Sequence, residues 1–177
     1  MGNMFATRPG SDPNALPVYV GSHLDTQPTG GKYDGILGVL GGLEIINTLN
    51  DLNIQTKHPI VVTNWTNEEG TRFAPPMLAS GVFGGIHTQD WAYDREDSAG
   101  KKFGDELVRI GWRGEEEVGA RKMHAFFELH IEQGPILEAE GKDIGIVTHG
   151  QGLSWTQITI IGKDSHTGST PMPMRKN

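Results

Sequence analysis

The amino-acid sequence predicts an α/β fold in which a mostly parallel β-sheet is flanked by helices. Short runs rich in β-branched and aromatic residues alternate along the chain with segments whose apolar residues recur at helical spacing. Such alternation is typical of sheets built from β-α-β units. Histidines and carboxylates follow several of these runs, which indicates that the ends of the strands carry the chemistry of the protein.

Four strands are predicted in the first 150 residues from short apolar runs bounded by glycine, proline or polar residues: 17–22, 58–66, 125–131 and 143–148. Residues 1–16 are rich in proline, glycine and polar residues, and we expect an irregular lead-in there. Helices are predicted where apolar residues repeat every three or four positions, over 35–50 and about 101–111, with shorter helical pieces in 76–98 and after 132.

A change of pattern near residue 151 predicts a domain boundary at the glycine-rich segment Gly150-Gln151-Gly152. Beyond it, residues 154–162 alternate polar and apolar side chains with period two, which is typical of a half-exposed antiparallel strand. We therefore expect one unit over 1–150 and the beginning of another over 151–177. The second segment has too few residues to bury a core of its own.

The composition and charge of the chain argue against several kinds of partner and site. The formal net charge of -7 disfavours nucleic acid and anionic membranes as partners, because both attract basic surfaces. The chain has no cysteine, which excludes disulfides, a thiolate nucleophile and cysteine-ligated zinc. The N-terminal residues lack a secretory pattern and no apolar run approaches membrane-spanning length, so we expect a cytoplasmic protein without a membrane partner.

Titratable residues cluster around the predicted strand ends and the loop after the first strand. The set consists of His23, Asp25, Asp34, Glu68, Glu69, Glu128 and His130. Each has an ordinary structural explanation, since a strand-end histidine is often a satisfied core residue, a glutamate pair is usually solvated, and aspartate before glycine usually forms a turn. Their coincidence favours a divalent metal site, because imidazole and carboxylate are the usual ligands of zinc, manganese and cobalt.

The adjacent carboxylates Glu68 and Glu69 suggest a division of labour. Neighbouring residues at a strand end point in different directions, so one carboxylate can bind metal while the other acts as a general base on an activated water. Asp25 lies two residues after His23, and we expect its carboxylate to accept the second N–H of that imidazole.

Four sequence blocks resemble the signatures of the dinuclear-zinc aminoacylase/carboxypeptidase superfamily. They are GSHLDTQPTGGKYDGILGVLGGLE, TNEEGTRF, ELHIEQGP and GKDSHTGSTPMPMR, and they follow one another in the family's order over roughly residues 17 to 177. Within the superfamily they are most similar to the branch of N-carbamoyl-L-amino acid hydrolases, β-ureidopropionases and allantoate amidohydrolases.

The resemblance implies four metal ligands and two metal ions. His23 and His130 would bind one ion, Asp34 would bridge both, and Glu69 would bind the second. Zinc is the first expectation for both ions. Manganese, cobalt and nickel are alternatives, because imidazole and carboxylate ligands accept all of them.

The resemblance also implies catalytic and substrate-binding residues. Glu68 would be the general base, with Asp25 as a second catalytic residue that supports the histidine ligand. Gln133 and His166 match positions that contact substrate in the family. For these two the alternatives remain open, because Gln133 could cap a helix and His166 could be an ordinary turn residue.

The implied function is metal-dependent hydrolysis of a linear C–N bond in N-carbamoyl amino acids or related small ureido compounds. His130 favours this branch over peptidases, whose corresponding ligand is commonly acidic. A dipeptidase or aminoacylase of the same superfamily is the alternative enzyme, and a truncated paralogue that binds metal without turnover is the non-enzymatic one. The resemblance further implies a homodimer for the full-length family.

The family's members are more than twice as long as these 177 residues. We therefore expect residues 1–150 to form part of the catalytic domain and residues 151–177 to begin the α+β lid or dimerisation domain. A late histidine of the family would be absent, which would leave the second metal with only Asp34 and Glu69. We accordingly expect the isolated chain to be inactive or poorly folded.

Overall fold

A four-stranded sheet organises the first of two units, Met1–Gln133 and Gly134–Asn177, in a computed structural model that describes residues 1–176. The strands are β1 (Met4–Arg8), β2 (Val18–His23), β3 (Ile60–Trp65) and β4 (Ala125–Phe127), in the order β1-β3-β2-β4. Strands β2, β3 and β4 are parallel, and β1 is antiparallel to β3. The predicted α/β class with a mostly parallel sheet is confirmed.

Five helices and one 3₁₀ turn complete the regular structure of the described residues. They are α1 (Ile36–Asp51), α2 (Leu78–Phe83), α3 (Gln89–Tyr93), α4 (Phe103–Arg109), α5 (Ile136–Ala139) and the 3₁₀ turn Met172–Met174. The predicted helices over 35–50 and 101–111 therefore form with small shifts at their ends. No helix among the described residues is long and apolar enough to cross a membrane.

The two faces of the sheet pack differently because successive side chains of a strand alternate in direction. On one face, Val20 and Val62 pack against Val39 of α1. The other face carries a cluster of aromatic rings in edge-on and tilted contacts, formed by Phe5, Tyr19, Trp65, Phe83 and Phe126. Phe83 belongs to α2, so helices cover both faces of the sheet.

Gly38 lets α1 approach the sheet closely at the end nearest the polar cluster. A Cβ atom at this position would lie 2.6 Å from the carbonyl oxygen of Leu129 and 2.7 Å from the Cβ of Ser22. Gly41, one turn further along the helix, has more room, because a Cβ there would lie 3.5 Å from Leu129 Cδ2. Glycine is therefore required sterically at the first position and not at the second.

We expect Gly38→Ala to destabilise the chain by about 1–3 kcal/mol, because an overpacked interface forces α1 and the segment after β4 apart. Gly41→Ala is the matched control, and we expect it to be neutral or to stabilise by about 0.5–1 kcal/mol, since alanine is the better helix former. Urea unfolding of both variants measures the difference. Equal midpoints for the two variants would contradict this packing.

An ion-pair network joins α4 to the loop after β3. Glu106 accepts hydrogen bonds from Arg109 (2.9 Å) and from Arg72 (2.8 Å), and Arg72 also bonds Asp97 (2.9 Å). The guanidinium groups of Arg109 and Arg72 lower the pKa of Glu106 from 4.5 to about 2. Because the folded-state pKa lies below the unfolded value, the network stabilises the fold above about pH 4.5 and is lost as the pH falls towards 2.

We therefore expect Glu106→Gln to lower the urea midpoint at pH 7, and the difference from wild type to shrink steadily between about pH 4.5 and pH 2. Glu44→Gln, at an exposed position of α1, serves as the control and should show no such trend. A constant difference between Glu106→Gln and wild type across this pH range would show that the carboxylate charge does not contribute.

Three strand predictions need correction. Met4–Arg8 forms an edge strand, where a lead-in without regular structure was predicted, because its single large ring, Phe5, packs into the aromatic cluster. The segments 143–148 and 154–162 form no strand. A strand requires hydrogen bonds to a neighbouring strand, and neither segment has one among the described residues. Their apolar side chains are exposed, by 87% for Ile146 and 91% for Ile161.

The third predicted strand is shorter than expected. β4 ends at Phe127, so His130 lies in the extended segment that follows the strand and not within it. The second unit contains α5 and the 3₁₀ turn among its described residues and is largely exposed to solvent.

Candidate metal centre

The carboxyl edge of the sheet brings the predicted polar residues together within the first unit. His23 is the last residue of β2 and lies in register with Trp65, the last residue of β3. The loop that follows Trp65 carries Glu68 and Glu69, and the segment after β4 carries His130. This arrangement follows from the topology, because parallel strands end at the same edge of a sheet.

Asp34 lies between the two histidines. Its Oδ1 atom is 3.0 Å from Nε2 of His130 and 3.7 Å from Nε2 of His23. His23 and Asp34 are buried, whereas His130 is partly exposed at the mouth of the cluster. Gly35 adopts φ +69°, and a Cβ there would lie 2.5 Å from the His23 ring, so this glycine allows the loop to fold over the imidazole.

Both imidazoles are oriented by backbone carbonyl groups. Nδ1 of His23 lies 2.8 Å from the backbone oxygen of Asp25, and Nδ1 of His130 lies 2.8 Å from the backbone oxygen of Ile131. A carbonyl oxygen only accepts hydrogen bonds, so each Nδ1 must be the donor. In the neutral rings the lone pair is then on Nε2, which faces the Asp34 carboxylate.

Two lone pairs that converge on a carboxylate oxygen require a positive charge between them. A divalent cation supplies it, and a donor set of two imidazoles and one carboxylate is a usual one for zinc. The ligand atoms of His23, Asp34 and His130 all lie within 4.8 Å of one another. The three side chains therefore fit a metal ion. The Nδ1 atoms of both histidines are held by backbone contacts of the kind that commonly orient histidine ligands.

A second group shares His23 with the two glutamates. Nε2 of His23 lies 3.5 Å from Oε2 of Glu68, and the ligand atoms of His23, Glu68 and Glu69 lie within 4.8 Å of one another. Oε1 of Glu69 is buried and has no hydrogen-bond partner in the described chain. A buried carboxylate oxygen without a partner is costly, and this one is available to a cation.

The environment of Glu68 suits proton transfer. Burial raises the pKa of its carboxyl above the ordinary value, and the neighbouring carboxylates of Glu69 and Asp25 act in the same direction, whereas His23 opposes them. A carboxylate whose pKa moves towards neutrality is a stronger base near the pH of the cell. This environment suits the Glu68 carboxylate to accept a proton.

Asp25 has a different contact from the predicted one. Its backbone oxygen, not its carboxylate, receives the His23 imidazole, and the nearer carboxylate oxygen is 3.8 Å from Nδ1. The carboxylate instead accepts the backbone N–H groups of Glu68 and Glu69, each at 3.1 Å. Asp25 therefore fixes the backbone of the loop that carries both glutamates.

Two glutamine side chains contact the carboxylates. Nε2 of Gln133 donates to Oδ2 of Asp34 at 2.6 Å, and Nε2 of Gln27 donates to Oε2 of Glu69 at 3.0 Å. Neither contact follows from the sequence pattern, and Gln27 is not among the residues that strand-end position marks. The available signal was its position, two residues after Asp25 in the loop between β2 and α1.

Ser22 and Glu128 form a further pair that the sequence did not reveal. The Ser22 hydroxyl, buried at the end of β2, donates to the Glu128 carboxylate in the segment after β4. This hydrogen bond joins the two segments that carry His23 and His130.

His166 belongs to the second unit and is held within its own loop. Its Nδ1 atom accepts the backbone N–H groups of Gly168 (3.0 Å) and Ser169 (3.1 Å). Arg175 braces the same loop by donating to the backbone oxygens of Thr170 and Thr167. The Nε2–H of the exposed His166 ring is thereby left as an outward donor.

Proteins of similar sequence have names that belong to the family branch indicated by the four sequence blocks. The chain is 73% identical over 177 residues to an N-carbamoyl-L-amino-acid amidohydrolase of Rhizobium meliloti, covering all of this chain and 42% of that protein. It is 40% identical over 180 residues to an N-carbamoyl-L-amino acid amidohydrolase of Geobacillus stearothermophilus, covering 99% of this chain and 44% of that protein. The chain thus spans about two fifths of the length of these relatives.

A solved structure of similar fold indicates the same family as these two relatives. A hydantoinase/carbamoylase family amidase from Burkholderia vietnamiensis matches with a TM-score of 0.86 and 53% identity, covering 98% of this chain and 42% of that one. The resemblance to the N-carbamoyl-L-amino acid hydrolase branch is confirmed. The family model described as peptidase family M20/M25/M40 matches residues 19–175, and the chain belongs to this family.

Proposed function

We propose that the protein is a metal-dependent amidohydrolase that cleaves a linear C–N bond in N-carbamoyl amino acids or related ureido compounds. The observation that carries this proposal is the convergence of two oriented imidazoles on Asp34, with the raised-pKa carboxyl of Glu68 close to His23. The names of the relatives support the choice of C–N bond. Because the chain spans only part of their length, this activity is proposed for the whole protein.

Four residues would hold the metal. His23, Asp34 and His130 would hold one divalent ion, and Asp34 would share a second with Glu69. When bound, such ions polarise the carbonyl group and make an attached water easier to deprotonate. Zinc is the first choice, with manganese, cobalt and nickel as alternatives. In this arrangement the described residues of the first unit would supply the second ion with two ligands, the carboxylates of Asp34 and Glu69.

Glu68 would carry the proton. It takes a proton from the attacking water, whose oxygen forms a bond to the carbamoyl carbon, and it then delivers that proton to the leaving nitrogen as the C–N bond breaks. The products are the free amino acid and carbamate, which decomposes to carbon dioxide and ammonia. Asp25 supports this step by fixing the backbone N–H groups of the glutamate loop.

Gln133 and His166 are proposed to contact substrate. Gln133 lies at the mouth of the cluster beside Asp34, and the outward Nε2–H of His166 suits a carbonyl or carboxylate oxygen of the substrate. We also propose a cytoplasmic homodimer. The cysteine-free sequence is compatible with that compartment, and the dimer follows from the family resemblance.

A substrate panel tests the proposal. The protein, expressed from its complete reading frame, is assayed for ammonia and free amine with N-carbamoyl-L-amino acids, N-carbamoyl-β-alanine, allantoate, N-acetyl amino acids and dipeptides. We expect turnover of one or more ureido substrates, loss of activity after chelation, and recovery with zinc or manganese. Turnover of acetylated substrates or dipeptides alone would favour an aminoacylase or dipeptidase, which the family description also accommodates.

Metal binding without hydrolysis of any substrate in the panel would instead favour the non-catalytic alternative. Measurement of bound metal in the same preparation separates this outcome from a protein that has lost its metal.

A further inference from the structure

Glu69 is held at its backbone and at one carboxylate oxygen. Its backbone N–H donates to Asp25 Oδ2 at 3.1 Å, and its side-chain Oε2 accepts the amide of Gln27 at 3.0 Å. Gln27 extends from the loop between β2 and α1, four residues after His23. The loop between β2 and α1 therefore holds both the backbone and the side chain of Glu69.

The two carboxylate oxygens of Glu69 are consequently different. Oε2 has an amide donor, whereas Oε1 is buried without a partner in the described chain. The partial positive charge on the Gln27 amide hydrogens disfavours a cation at Oε2. Oε1 is the oxygen left for a positive ion.

The two carboxylate oxygens of Asp34 also differ in their contacts. The amide of Gln133 donates to Oδ2 at 2.6 Å, while Oδ1 faces the Nε2 atoms of His23 and His130. In both carboxylates an amide occupies one oxygen. The other oxygen faces the two imidazoles in Asp34 and is buried without a partner among the described residues in Glu69. The repetition in two separate loops indicates a shared function of the amides.

We propose that Gln27 is a positioning residue that occupies Oε2 of Glu69 and thereby makes Oε1 the metal-binding oxygen. The inference rests on the proposed metal-dependent function and adds a residue to it. By fixing the carboxylate in a one-oxygen binding mode, Gln27 sets both the affinity and the coordination number of the ion that Glu69 holds.

The test uses the protein expressed from its complete reading frame and compares metal binding by Gln27→Met with that of wild type. Methionine has nearly the same length as glutamine but no N–H donor. Gln55→Met is the matched control, since Gln55 is also exposed and its amide donates to the backbone oxygen of Pro9, at 3.4 Å. Titration calorimetry with Zn²⁺ measures affinity, and the visible absorption spectrum of bound Co²⁺ reports its coordination number.

A further variant, Glu69→Gln, identifies the binding step that depends on Glu69. We expect Gln27→Met to weaken this same step by about 10–100-fold, the usual effect of losing a hydrogen-bond partner of a ligand. We also expect weaker Co²⁺ absorption, because a freed carboxylate binds through both oxygens and raises the coordination number. Gln55→Met should match wild type, and the melting temperature of metal-free Gln27→Met should be unchanged.

Three results would overturn the inference. Wild-type affinity and Co²⁺ spectrum in Gln27→Met, with the Glu69-dependent step still present, would reject Gln27 and leave the proposed function intact. A lower melting temperature of the metal-free variant with an unchanged Co²⁺ spectrum would assign Gln27 a merely structural role. Failure of the wild-type protein, expressed from its complete reading frame, to bind Zn²⁺ would reject the proposed metal centre and this inference together.

Discussion

Glu68→Gln is expected to lower kcat by about 10²–10⁴-fold, the contribution typical of a general acid–base catalyst. The amide has nearly the shape of the carboxyl but neither accepts a proton from water nor delivers one to the leaving nitrogen. Because backbone carbonyl groups orient His23 and His130 and Gln133 holds Asp34, bound metal should remain close to the wild-type amount.

Steady-state kinetics on the best substrate of the panel, together with metal analysis of the same samples, measures this effect. Glu117→Gln, at an exposed position remote in sequence from the glutamate pair, is the control and should retain full activity. A kcat within tenfold of wild type in metal-loaded Glu68→Gln would contradict the assignment of the base.

Asp34→Asn is expected to weaken Zn²⁺ binding by more than about 100-fold. Loss of a residue that only hydrogen-bonds a metal ligand weakens binding by up to about 100-fold, and loss of a ligand itself should weaken it more. Asp34 is the carboxylate on which both imidazoles converge, at 3.0 and 3.7 Å. The amide removes the negative charge, and its NH₂ group faces the ions as a donor if the side chain turns. Both proposed ions are affected because Asp34 would bridge them.

Titration calorimetry and metal analysis after dialysis measure the loss. Asp51→Asn, at the exposed C-terminal end of α1, is the matched control and should bind metal as wild type does. If Asp34→Asn retained wild-type affinity, the convergence of the histidines on Asp34 would have to be explained without a metal.

The sequence was sufficient for one helix and two strands whose local pattern agrees with their position in the fold. Helix α1 carries its apolar repeat in its own residues, and β2 and β3 begin with apolar residues and end at the polar cluster. Residues 143–148 and 154–162 have equally suitable patterns, yet they form no strand. Pairing depends on a partner elsewhere in the chain, and alternation within a segment does not encode it.

The sequence predicts the residues of the candidate site but not the contacts between them. Position near the strand ends gave His23, Glu68, Glu69 and His130, the loop after the first strand gave Asp34, and the family blocks gave each of them a role. The side-chain contacts depend on loop geometry that spacing does not determine. The Asp25 carboxylate therefore binds the backbone of the glutamate loop and not the His23 imidazole. The contact of the Gln27 amide with Glu69 is likewise not predicted by spacing.

The proposed function requires that His23, Asp34 and His130 bind a metal ion together. An anomalous difference map from crystals of the protein grown with Zn²⁺, recorded on both sides of the zinc absorption edge, tests for this ion. We expect a peak between Nε2 of His23, Nε2 of His130 and Oδ1 of Asp34 that vanishes below the edge. Ordered side chains at these three positions without an anomalous peak between them would contradict it.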